Sequence, residues 1–202
     1  SSGLDVRAWV ARGLVDYLVP SSMNRYIALD MPVDEWVALV DGTGVEVHPS
    51  PDSAAPRGNG QATPAMYRAA ASNYYAMGAH GFYLFNLFCQ GYPLSDDAYA
   101  ILRDVADPAT LDRREKLFYT TPDCCRVRED TPTLPLPMTV GGEEVRAEVW
   151  IGDDLPAAAA NGTLDQARLR IRVDALEPED RVALTLNEIP LDMTPAVYSF
   201  PD

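Results

Sequence analysis

The residues best suited to chemistry sit in and around one short alternating stretch, GVEVHP at residues 44–49. In an extended chain successive side chains point to opposite faces, so Glu46 and His48 share one face and Val45 and Val47 the other. With the valines packed under helices, the carboxylate and the imidazole face a pocket, His48 at its mouth. A carboxylate so placed can take or deliver a proton, and the imidazole beside it can tune it or hold a polar ligand. The alternative is a polar layer of the core, satisfied by hydrogen bonds. Asn86 is the one polar residue late in the apolar run GFYLFNLF (81–88) and is a candidate ligand contact. Ser21 and Ser22, after LVDYLVP, and Asp52, in a long loop, are candidate rim contacts. Asp16 reads as a structural hydrogen-bonding residue and Asp30 as the cap of the helix that starts at Met31-Pro32.

Elements that could position these groups alternate along the first 120 residues. A helix over 5–12, ended by Gly13, leads into a strand at 14–20 that stops at Pro20; RYIALD (25–30) adds a short strand. A helix over 33–40 breaks at Asp41-Gly42 before the strand at 44–48. The Ser-, Pro- and Gly-rich stretch 50–64 is a long surface loop, followed by a helix over 64–77 and a strand over 81–88 apolar enough to be buried on both faces. A helix over 95–105, a turn at 109–114 and a strand at 116–120 complete the series. Strand starts near 15, 44, 81 and 116 keep the spacing expected if ~250 residues make eight βα units. Four units are half a barrel. An open doubly wound sheet is the alternative, but no Gly-rich phosphate loop follows any strand, so no dinucleotide cofactor is indicated.

From Pro132 the pattern becomes short alternating runs. Residues 134–140 and 144–151 flank Gly141-Gly142 as a hairpin, with ARLRIRVDAL (167–176) and RVALTLNEIPL (181–191) as further strands. Such strands belong to an antiparallel sandwich, here incomplete. The fold class expected is therefore α/β then all-β: half of a TIM-like (β/α)8 barrel over 1–121, a linker over 122–131, and a partial antiparallel β-sandwich over 132–202.

Composition narrows the partners. A net charge of −14 argues against nucleic acid, which needs a basic footprint, and disfavours an anionic membrane surface. No apolar run approaches the ~20 residues of a membrane span. Arginine supplies every basic residue except Lys116. Cys89, Cys124 and Cys125 lack metal-ligand spacing, and the acidic residues Asp153, Asp154, Glu177, Glu179 and Asp180 lack that of a calcium loop, so no metal or other cofactor is expected. Tyr67, Tyr74, Tyr75, Phe82 and Tyr83 are candidate stacking platforms, although their positions equally suit core packing.

GLVDYLVP (13–20), DEWVALVDGTGVEVHP (34–49), SNYYAMGAHGFYLFNLF (72–88), RREKLFY (113–119) and LEPEDRVALTLNEIPL (176–191) resemble the C-terminal half of bacterial glycosyl-hydrolase-like, family-10-like (β/α)8-barrel proteins with an appended β-sandwich. The most specific element is Gly78, Ala79, Gly81, Phe82, Tyr83, Phe85 and Asn86. The resemblance implies hydrolysis of a glycosidic bond by paired carboxylates, with Glu46 as the catalytic candidate and His48, Asn86 and Ser21 as substrate-binding candidates. It also implies that the remaining barrel strands lie outside these residues, so the expected partners are a carbohydrate and either the missing barrel half or further copies of the chain. A reading from another class is a non-catalytic carbohydrate-binding or structural module.

Overall fold

The structure, a computed structural model, describes residues 4–22, 27–53, 62–85, 96–120, 146–171, 177 and 179–193. Among them are six helices and four two-residue strands, divided between two units, Ser1–Asp165 and Gln166–Asp202.

In the first unit, helix α1 (Val6–Ala11) starts where the Asp5 carboxylate accepts the Ala8 N–H at 3.0 Å and ends before Gly13, whose φ of +62° suits glycine. Strand β1 (Tyr17–Leu18), helix α2 (Val33–Val40) and strand β2 (Glu46–Val47) follow, and the two strands pair in parallel with Tyr17 opposite Glu46 and Leu18 opposite Val47. The pairing continues past β2. The N–H groups of Glu46, His48 and Ser50 donate to the carbonyls of Asp16, Leu18 and Pro20, and Ser21 lies opposite Ser50. Helix α2 packs on β2 and buries Val33 and Val40.

Helix α3 (Pro64–Ala76) is the centre of this unit. Thr63 caps it, Pro64 occupies its first turn where a missing N–H costs nothing, and Tyr67 and Ala69 to Tyr74 are all buried. A helix buried on nearly every side must satisfy its polar side chains internally. The Asn73 amide donates to the Leu29 carbonyl at 2.9 Å, and the Tyr74 hydroxyl donates to the Ala28 carbonyl. Residues 27–29, expected as part of a short strand, are instead a buried irregular segment whose carbonyls are received by side chains, that of Ile27 by the Tyr119 hydroxyl.

Helices α4 (Asp96–Asp104) and α5 (Pro108–Leu111) pack on α3. Arg68 of α3 holds the buried Asp104 carboxylate through Nε at 2.7 Å. Helix α6 (Leu155–Ala160) lies between the alternating runs at 144–151 and 167–176. Asp154 caps it by accepting the Ala157 N–H at 2.9 Å, so Pro156 opens the helix rather than breaking it.

In the second unit, strands β3 (Thr185–Leu186) and β4 (Ile189–Pro190) pair antiparallel, and the Leu191 N–H donates to the Leu184 carbonyl at 2.9 Å. Asn187 and Glu188 both have positive φ, the backbone of a tight two-residue hairpin turn. The run expected as one strand over 181–191 therefore folds back on itself.

Half a barrel followed by a sandwich is not the architecture. Of the strands expected to start near 15, 44, 81 and 116, only the first two pair as a sheet among the described residues. Residues 79–85 run beside β2, but three residues there span two of β2: the His80 N–H donates to the Val47 carbonyl and the Tyr83 N–H to the Pro49 carbonyl. The Val47 N–H is taken by the His80 ring rather than by a backbone carbonyl. An extra residue of this kind interrupts a ladder, and Tyr83 and Phe85 stand exposed where a strand buried on both faces was expected. Residues 116–120 form no strand; the Leu117 N–H donates to the Ala65 carbonyl at 3.0 Å, which draws this segment onto α3.

The described parts of the alternating runs, 146–151 and 167–171, form no strand either, and Val149, Ile151, Leu169 and Ile171 are exposed. Alternation gives a segment two faces but no partner, and without a partner's ladder there is no sheet to bury the apolar one. The Trp150 carbonyl and Gly152 N–H bond instead to the Asn73 amide at 3.2 and 2.7 Å. The first hairpin arm, 134–140, lies outside the described residues.

Candidate functional site

Along β2 the alternation read from GVEVHP holds. Val45 and Val47 are buried, Glu46 is exposed and His48 half-buried. His48 Nε2 and Glu46 Oε2 lie 2.8 Å apart, joining imidazole and carboxylate in a hydrogen bond, with side-chain exposures of 30% and 59%. At that exposure the attraction contributes little to stability, so the pair is free to exchange its internal bond for bonds to a ligand.

The strand register brings a third side chain. Tyr17 lies opposite Glu46, and its ring centroid is 5.9 Å from that of His48 at an angle of 55°. Its position is mostly solvent-facing, with 60% of the residue exposed. A carboxylate, an imidazole and an open aromatic ring thus stand on one side of the parallel pair.

Gly81 forms the wall behind the imidazole. A Cβ at this position would lie 2.5 Å from His48 Nδ1 and 2.6 Å from Cε1, so any larger residue would push the ring out of its place. On the other side of β2, His80 Nδ1 accepts the Val47 N–H at 3.0 Å. That acceptance requires a neutral ring with its proton on Nε2. The chain has two histidines; one, in the row of β2, is paired to a carboxylate, and the other, at the edge of β2 away from β1, stands in for a backbone carbonyl. Glu46, His80 and Asp41 also line a cavity of ≈ 280 Å³.

Of the other candidates, Ser21 lies opposite Ser50, its residue exposed at the carboxyl end of β1. Asn86 lies outside the described residues, as do Cys89, Cys124 and Cys125. Asp52 is half-buried and accepts the Ser53 N–H at 2.7 Å, turned onto its own loop. Among the aromatic residues, Tyr67 and Tyr74 are core, Tyr74 and Phe82 stack at 5.8 Å, and Tyr83 is exposed. Tyr17, His80 and Gly81 escaped the sequence reading, because only the register between strands shows that they adjoin Glu46 and His48. Among the described residues no cluster of three His, Cys, Asp or Glu side chains could hold a metal ion.

No protein-family model matches the chain, and no curated protein matches it significantly.

Proposed function

We propose that the chain is a carbohydrate-active protein and that Glu46, His48 and Tyr17 form its sugar-contacting patch. The observation that carries this reading is the Glu46–His48 pair, 2.8 Å apart and open to solvent beside Tyr17. A pyranose presents neighbouring hydroxyls that both donate and accept, which suits a carboxylate acceptor next to an imidazole. Its apolar ring face suits an exposed aromatic ring. The resemblance of residues 72–88 and the flanking stretches to glycosyl-hydrolase-like proteins supports the same substrate class.

Within that class, binding is the first reading and hydrolysis of a glycosidic bond the second. A glycosidase general acid is characteristically shielded in an apolar setting, whereas the Glu46 side chain is 59% exposed and bonded to His48. That environment favours a hydrogen-bond acceptor for sugar hydroxyls. The hydrolytic reading makes Glu46 one of two carboxylates flanking the bond, about 5–9.5 Å apart.

The test is titration of the protein with soluble oligosaccharides of glucose, mannose, galactose and xylose, with chromogenic glycosides assayed in parallel. Binding that weakens at least tenfold in both Glu46→Gln and Tyr17→Ala is the expected result, the loss corresponding to ~1.4 kcal/mol or more. Glycoside cleavage by the wild type that disappears in Glu46→Gln would establish the second reading. Binding unaltered by either substitution would remove this patch from consideration.

A further inference from the structure

The row of side chains that includes Glu46 and His48 does not end at His48. Because the N–H groups of Glu46, His48 and Ser50 all point to β1, their side chains leave the strand on the same side. Exposure falls along the row, from the exposed Glu46 through the half-buried His48 to Ser50, which is 1% exposed. Ser50 sits at the carboxyl end of the parallel pair, opposite Ser21, and in open parallel sheets ligands settle beyond that end.

The Ser50 backbone is fully engaged nearby. Its N–H donates to the Pro20 carbonyl at 2.8 Å, and the preceding Pro49 carbonyl accepts the Tyr83 N–H at 3.0 Å. Its hydroxyl is not: Oγ is buried and has no hydrogen-bond partner among the described residues. An enclosed hydroxyl without a partner costs more than the same group in water, and a site that leaves one in place is primed for a ligand atom that satisfies it. Ser22 Oγ is the other serine hydroxyl in this condition, at the end of β1, but Ser22 alternates with Ser21 and so points to the other side of the layer.

We infer that Ser50 is a ligand-contacting residue, its hydroxyl forming the enclosed inner end of a Glu46–His48–Ser50 row that hydrogen-bonds a hydroxyl-rich ligand. This rests on the carbohydrate reading of the same patch and deepens it. Glu46 and His48 meet the solvent-facing side of the sugar, and Ser50 donates to or accepts from an oxygen that reaches past them. An enclosed hydrogen bond has no competing water, so the inner contact sets selectivity among sugars more than the open pair does.

The experiment compares wild type, Ser50→Ala and Ser22→Ala, each by thermal unfolding and by affinity for whichever oligosaccharide of the glucose, mannose, galactose and xylose panel the wild type binds. Ser50→Ala is expected to unfold at the same or a higher temperature, since it removes a buried hydroxyl that has no partner. Its affinity is expected to fall about five- to tenfold, and that of Ser22→Ala to stay at the wild-type value. Wild-type affinity in Ser50→Ala would overturn the inner contact while leaving the patch standing. A lowered unfolding temperature with affinity unchanged would assign the hydroxyl to the fold and overturn it too. If no sugar of the panel binds the wild type, the carbohydrate reading falls first and the Ser50 contact with it.

Discussion

At the scale of single residues, burial and local charge set the chemistry, and Tyr75 shows how. Its hydroxyl donates to the Val105 carbonyl at 2.8 Å, and its pKa is raised above the ordinary 10.0 first by burial and then by the nearby Asp107 carboxylate. A folded-state pKa above the unfolded value means stability that is fully present below pH 10.0 and is lost as pH climbs through the raised value. Unfolding measured across alkaline pH should show this decline in the wild type and less of it in Tyr75→Phe. At neutral pH the same variant should be less stable by about 1 kcal/mol for the lost hydrogen bond. An identical alkaline profile in both proteins would contradict the assignment. Tyr75 was legible only as an aromatic residue on a helical stretch, because its partners come from other elements. Glu46 and His48 were readable as a pair, since residues two apart share a face whatever the strand pairs with. Tyr17 and Gly81 were not, because their proximity depends on register and on a backbone irregularity that no spacing announces; Ser50 lies past Pro49, beyond the strand expected over 44–48, although the pairing continues there.

At the scale of elements, α3 does most to organise the first unit, and one glycine shows how closely it is packed. A Cβ on Gly152 would lie 2.5 Å from the Ser72 carbonyl oxygen and 2.9 Å from the Asn73 Cα, both backbone atoms of a buried helix. The neighbours cannot give way, so Gly152→Ala should detach residues 150–153 from α3. It would break both Asn73 amide bonds and strain the contacts of Asp153 with Lys116 and Ser72. The expected loss is about 2 kcal/mol in denaturant unfolding, with faster amide exchange at Gly152. Undiminished stability would show that this segment is not packed as described. Helix α3 itself was plain in the sequence, from Pro64 through the alanine run, as were α1 and the span of α2, although α2 starts at Val33 with Pro32 rather than the expected Asp30 in the cap position and no side-chain cap bond there. Strand 81–88 misled because apolar character suggests burial, while the His80 ring and the extra residue opposite β2 decide whether a ladder can form.

At the scale of the whole molecule, the βα spacing held for one repeat among the described residues and did not imply a barrel. The parallel pair β1–β2 with α2 between them is the one βα repeat that closes into a sheet among the described residues. Among the described residues after 132, only β3 and β4 pair; the runs at 146–151 and 167–171 carry the period of strands without partners. Sheet architecture depends on pairings between distant segments, which alternation alone does not encode. What does carry over from sequence to the folded protein is the polar face of β2, and the claim resting on it is that Glu46, His48 and Tyr17 contact a sugar. With two histidines in the chain, the imidazole proton resonances form a short and readable set, and following them by NMR during oligosaccharide titration tests that claim most directly. Saturable movement of the His48 signals with little change in those of His80, abolished in Glu46→Gln, is the expected result. His48 signals that stay fixed for every sugar, or move equally in Glu46→Gln, would contradict it.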